Sequence, residues 1–112
     1  MGVKQGEIWW ANLNPTKGSE QSGHRPVVVV SGNMLNRNLS IVIVMPLTTQ
    51  IKNYKGNLVL HPNSKNGLNE ISEVLIFHIR SLSQSRLSKK IGSIQKNEIQ
   101  QLISNLNEIM RY

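Results

Sequence analysis

The sequence predicts a mainly β, α+β domain: a small antiparallel β-barrel with one C-terminal amphipathic helix. Three observations carry this. Short runs of β-branched and aromatic residues recur between turn signals, no long helical segment separates them, and hydrophobic spacing turns helical only from Gln95 onward. At 112 residues the chain can bury one core and not two, so residues 1–112 are expected to form a single domain.

The elements follow in order. "GEIWWANL", Gly6 to Leu13, is rich in strand formers and stops at the turn signal "NPTKG". Trp9 and Trp10 are adjacent, so a strand sends them to opposite faces, one toward the core and one near the surface. A surface indole there can stack on a base or be covered by a partner subunit. "PVVVVS" is the second strand. A valine run buried on both faces makes it stiff, and Pro26, which cannot donate to a ladder, belongs at its first residue. "GNMLNRNL" has room for one helical turn before the strand "SIVIVMPLTT", whose ladder Pro46 should break just ahead of Thr48 and Thr49. "GNLVLHP" is a short strand ended by Pro62, "SEVLIFHIRSLS" a longer one, and "SKKIGSI" a weaker last one. In the final segment Ile99, Leu102, Ile103, Leu106, Ile109 and Met110 form one apolar stripe, with Glu98 as the acidic half of a capping box after Gln95. That stripe can close one end of the barrel or join a second subunit.

Composition narrows the function. Thirteen Lys and Arg against six acids give a formal charge of +7, which favours nucleic acid as a partner over acidic metabolites. The absence of cysteine excludes disulfides and thiolate metal sites. All six acids are glutamates and none clusters with a histidine, which argues against two-metal phosphodiester chemistry; no metal and no cofactor are expected. The longest apolar runs fall far short of the roughly 20 residues that span a bilayer, and no leader pattern precedes them, so the expectation is a cytoplasmic protein without membrane contact.

Several side chains can carry chemistry. Arg25 stands where a glycine-punctuated polar loop, "GSEQSGHRP", meets the valine strand, a rim position from which a fixed cation can grip an anion. Thr48 or Thr49 can donate to a phosphate oxygen, or serve only as a turn former. Lys52 and Lys55 flank Tyr54 in "QIKNYKGN", charge for a single-stranded backbone and a ring for stacking, or an ordinary basic loop. Alternation along "SEVLIFHIRSLS" puts Val74, Ile76, His78 and Arg80 on one face, opposite Leu75, Phe77 and Ile79. His78 is then an acid or base beside the Arg80 cation, or a structural histidine next to a structural arginine.

Taken in order, "GEIWWANLNPTKGSEQSGHRPVVVVS", "IVMPLTT" and "SEVLIFHIRSLSQSRL" ahead of a terminal helix resemble the MazF/PemK/Kid family of bacterial toxins over essentially the whole chain. The resemblance implies a homodimer of SH3-like, MazF/CcdB-like barrels with appended helices. It implies a sequence-specific, ribosome-independent endoribonuclease of single-stranded RNA, an mRNA interferase, held inactive by a MazE-like antitoxin whose acidic disordered C-terminal segment covers the RNA groove. Arg25 matches the family's catalytic arginine in "RP", Thr48 its catalytic threonine in "PLT", and Glu20 and Gln21 the "EQ" pair that shapes the site. The implied site therefore has Arg25, Thr48 and Glu20 at the chemistry, and Gln21, Lys52, Tyr54, Lys55, His78 and Arg80 on the RNA. One departure stands out: the family's Gln-x-Arg, often preceded by an acid, reads Phe77, His78, Ile79, Arg80 here. Arginine is a poor base, so the base can be Glu20, His78 or a bound water. Two other classes share the frame. CcdB-like gyrase poisons rely on a Trp-Gly-Ile ending where this chain reads "EIMRY", and an SH3-like adaptor would bind RNA or peptide without turnover.

Overall fold

The computed structural model describes residues 2–13 and 23–111, so the expected "NPTKG" turn lies outside the described residues. The described elements are β1 (Glu7–Asn12), β2 (His24–Val29), α1 (Asn33–Asn38), β3 (Ile41–Thr48), β4 (Leu58–Leu60), β5 (Ser72–Val74), β6 (Arg80–Ser83), β7 (Leu87–Ser93) and α2 (Lys96–Arg111). The strands form one antiparallel sheet in the order β4-β5-β3-β2-β1-β7, with β6 also paired to β3. The sheet curls into a half-barrel with α2 packed on its core.

The valine run explains the curl. Val28 and Val30 enter a core cluster with Ile8, Met45, Leu47 and Leu60, while Val27 and Val29 enter a second with Ala11, Leu13, Val42 and Val44. All four valines are buried, which is why the run shows no polar alternation. Helix α2 covers the first cluster with Ile99 and Leu102 fully inserted and Leu106 and Ile109 partly so; Ile103 and Met110 stay exposed. The backbone N–H of Gln95 donates to Glu98 Oε1 at 2.7 Å, so the acidic half of the capping box is formed. Trp9 packs against the second cluster and donates its indole N–H to Glu7 Oε1, whereas Trp10 is exposed. Among the described residues no helix is long and apolar enough to cross a membrane.

Two sequence expectations need correction, and a third holds on one edge only. Pro26 is the third residue of β2, not the first. Pro46 breaks the ladder on the edge of β3 that faces β6 and β5, where pairing stops at Val44 and resumes at Leu47, but stays paired with Val27 on the other. "SEVLIFHIRSLS" is not one strand but β5, a 3-10 turn over Ile76–His78, and β6. The latter two share a cause. Between the pairs Val44↔Arg80 and Leu47↔Val74, β3 advances three residues while the facing chain spends six. Pro46 sits in that interval with no N–H to offer, and only its carbonyl is used, by Leu75 N–H at 2.8 Å. The surplus residues coil into the turn, and His78 and Arg80 no longer lie on one face of a strand.

Candidate functional site

β2 and β3 pair as Val27↔Pro46, Val28↔Met45 and Val29↔Val44. Carried two residues further, that register sets Arg25 opposite Thr48. The ladder itself stops. The Leu13 N–H to Gly23 carbonyl bond turns odd β2 residues toward β1, and the Val30 N–H to Ile43 carbonyl bond turns even ones toward β3. The next even residue is Pro26, which has no N–H, so the strands are free to part there. A cleft of about 230 Å³ opens at that point, lined by Trp10, His24, Arg25, Pro26, Leu47, Thr48, Thr49 and Ser72. A neighbouring hollow of about 360 Å³ shares Trp10, Pro26, Thr49 and Ser72 and extends to Glu70, Lys89 and Lys90. Together they make a groove with arginine and threonine at one end and lysines at the other.

Thr48 is half-buried, and its Oγ1 accepts the Gln50 N–H at 3.1 Å, which leaves the hydroxyl proton free to donate. Arg25 is half-buried and lines the cleft on a strand whose next four residues are core or nearly so, so its backbone is fixed. An arginine donor fork and a hydroxyl donor on adjacent strands form a setting for a phosphate oxygen. Among the described residues no three acids or histidines gather as a metal ion would require.

The loop leaving Thr48 is organised by a residue that the sequence reading passed over. Glu73, on β5 and paired with Thr48, has no solvent exposure. Its Oε1 accepts the N–H groups of Lys52 at 2.6 Å and Asn53 at 2.9 Å, and its Oε2 accepts Tyr54 N–H at 3.1 Å and Asn57 Nδ2 at 2.7 Å. Burial alone would raise its pKa; the hydrogen bonds from Asn57 and from the three backbone amides outweigh it and hold the carboxyl below its ordinary value. A charged residue inside the run "SEVLIF" was the available signal. Glu7 is the other buried carboxylate: burial pushes it up, and the Lys4 N–H, the Trp9 indole, and Lys90 at 3.0 Å together bring it below the ordinary value.

The remaining candidates separate. Lys52, Tyr54 and Lys55 share the exposed β3–β4 loop, but Lys55 lines a different hollow, with Phe77, Asn105 and Ile109. His78 and Arg80 are half-buried and line none of these three hollows, and the Arg80 guanidinium donates to the Leu13 carbonyl at 3.4 Å. The expected His78–Arg80 pairing on one strand face is thus replaced by a turn residue and a strand residue. Glu20 and Gln21 lie outside the described residues. His24 and Ser72 join the cleft without having been singled out; the signal for His24 was its place directly before Arg25.

Comparison with known proteins places this geometry. A family model described as "PemK-like, MazF-like toxin of type II toxin-antitoxin system" matches residues 4–110. The endoribonuclease toxin MazF of Escherichia coli K12 is 33% identical over 106 residues, 94% of this chain and 91% of that protein. The crystal structure of MazF from Deinococcus radiodurans superposes with a TM-score of 0.85 at 26% identity, covering 100% of this chain and 99% of the other. A MazE-MazF crystal structure from the same organism gives 0.77 at 26% identity, covering 97% and 96%.

Proposed function

The chain belongs to the PemK-like, MazF-like toxins of type II toxin-antitoxin systems, and on that premise we propose that it is a sequence-specific, ribosome-independent endoribonuclease that cuts single-stranded mRNA without a metal ion. The observation that supports this reading is that Arg25 and Thr48, on the adjacent strands β2 and β3, line one cleft.

The chemistry follows from what RNA supplies. Its 2′-hydroxyl is the nucleophile, already held next to the phosphorus, so the site must accept one proton, steady a phosphorane and return a proton to the leaving 5′-oxygen. Arg25 contacts the scissile phosphate and spreads its charge across the guanidinium, while the Thr48 hydroxyl donates to the developing oxyanion. Arginine stays protonated, so another group takes the 2′ proton. The group that takes it is Glu20, assigned on the motif, with His78 or a bound water as the alternatives. The O2′–P bond forms as the P–O5′ bond breaks, giving a 2′,3′-cyclic phosphate and a 5′-hydroxyl. Lys52, Tyr54 and Lys55 are assigned to RNA backbone and base contacts beyond the cleft, with Gln21 at the site itself and Arg80 and His78 in supporting positions. Trp10, exposed and lining both halves of the groove, offers a stacking face.

The whole of residues 1–112 acts in this reading as one toxin domain of a cytoplasmic homodimer. Its inhibitor is a MazE-like antitoxin, whose acidic disordered C-terminal segment orders in the basic groove.

The test is incubation of wild type and Arg25→Ala with a long single-stranded RNA in chelator, beside DNA of the same sequence. RNA alone should be cut, to cyclic-phosphate and 5′-hydroxyl ends, and Arg25→Ala should lose the activity with a melting temperature close to wild type. Cleavage by Arg25→Ala at the wild-type rate, or 3′-hydroxyl and 5′-phosphate products, would remove the assignment.

A further inference from the structure

The β3–β4 loop has an unusual support. Residues 49 to 55 are all exposed, so little apolar packing holds them. Three consecutive amides, Lys52 to Tyr54, converge on the Glu73 carboxylate, with Asn53 in the left-handed region at φ 54°. Successive N–H groups arranged this way form an anion-binding nest, and here the anion is a side chain of the protein. Asn57 closes the arrangement: its Nδ2 donates to Glu73 while its Oδ1 accepts Ile76 N–H at 3.0 Å. The far end of the loop is tied to α2, where Asn105 Nδ2 donates to the Gly56 carbonyl at 2.8 Å.

The other side of Glu73 faces the groove through its neighbours. Thr48 is its partner across the β3–β5 ladder, and Ser72, next to it in the chain, lines both halves of the groove. Thr49, the first residue of the loop, does so too. One buried carboxylate therefore joins the wall of the cleft to the loop that carries Lys52, Tyr54 and Lys55. Stabilising a short loop does not require an ion: burying a charge is costly unless every lone pair is used, and here the four donors come from that single loop.

We propose that Glu73 is a positioning residue for RNA, holding the 52–57 loop in the one conformation that presents Lys52 and Tyr54 to a strand lying across Thr48. The proposal rests on the nuclease reading for its RNA part and on geometry alone for the loop part, and the two are tested separately. Glu73→Gln keeps the shape, but its NH₂ group turns a donor toward donors. Hydrogen exchange at the amides of residues 52–54 should become about tenfold faster or more in this variant, with core amides of β2 and β3 unchanged. In RNA cleavage, KM should rise about tenfold while kcat stays within about a factor of two, the loss expected for a misplaced backbone and stacking contact. A purely structural role would lower melting temperature without separating KM from kcat. If Glu73→Gln does not fold, Asn57→Ala, which removes one donor and leaves the carboxylate, should give the same pattern in weaker form. Unchanged exchange at 52–54 in a folded variant overturns the clamp. Faster exchange with an unchanged KM overturns its role in RNA binding. Wild type that cuts no RNA removes the nuclease reading and with it the RNA role, while the exchange experiment still decides the clamp.

Discussion

Thr48 is a small residue on which much of the proposed site depends. Its Oγ1 already accepts one hydrogen bond from Gln50, so its own proton remains available as a donor. Thr48→Val keeps the shape of the strand end and removes the donor; kcat should fall by about 10²–10³, the usual cost of one oxyanion donor, in single-turnover cleavage of a short RNA. Retained kcat would mean the hydroxyl is only a turn former. The two buried glutamates make a second prediction at this scale. Glu7 and Glu73 have carboxyls held below their ordinary values in the fold. In the window between the ordinary carboxylate value and the lower folded one, the unfolded chain binds more protons, so stability rises with pH there. It is fully present above about pH 4.3 and is lost as the pH falls through the folded values. Thermal melts from pH 7 down to 3 should show this loss, and Glu73→Gln should flatten the slope. Arg25 and Thr48 were legible as residues because their neighbours form short motifs. Glu73 was not, because its partners are backbone amides some twenty residues away, and backbone has no sequence signature.

At the scale of elements, α2 and the two prolines carry the argument. Leu102 is fully buried against the half-barrel, whereas Ile103, beside it on the same stripe, is exposed. Leu102→Ala should cost about 2–5 kcal/mol, read from the urea midpoint, and Ile103→Ala about 0.5 kcal/mol or less. Equal losses would mean that the stripe is buried along its whole width. The period of the stripe was visible in the sequence, but which edge faces the core was not, since a stripe six residues rich is wider than the contact. Pro26 and Pro46 show the same limit. Pro26 was read as the first residue of its strand and Pro46 as a break in a ladder. Each lies inside a strand, one lining the cleft between β2 and β3, the other facing the turn that splits β5 from β6. A missing N–H forbids one hydrogen bond, and only the neighbouring strand decides whether that ends an element or merely bends it.

For the molecule as a whole, the charge of +7 is the property that reaches furthest. Binding of single-stranded RNA, or of an acidic peptide, should weaken steadily between 50 and 200 mM salt as condensed counterions are released, with a log–log slope of about −0.7 per phosphate contact for RNA. Fluorescence anisotropy with Arg25→Ala, to prevent turnover, reads it directly. A flat slope would argue for base contacts alone. The sequence by itself determined the mainly β fold class, the terminal helix with Glu98 at its start and the family, and it singled out Arg25 and Thr48 as the candidates for the site. These depend on local period, turn chemistry and contiguous motifs, all of which a linear chain carries. Only the tertiary structure decided that β3 bridges two runs of partners, that His78 and Arg80 part at a 3-10 turn, and that Glu73 binds the loop after Thr48. Register and buried hydrogen bonding join residues distant in sequence, and their energies depend on which groups meet in space and not on which follow one another in the chain.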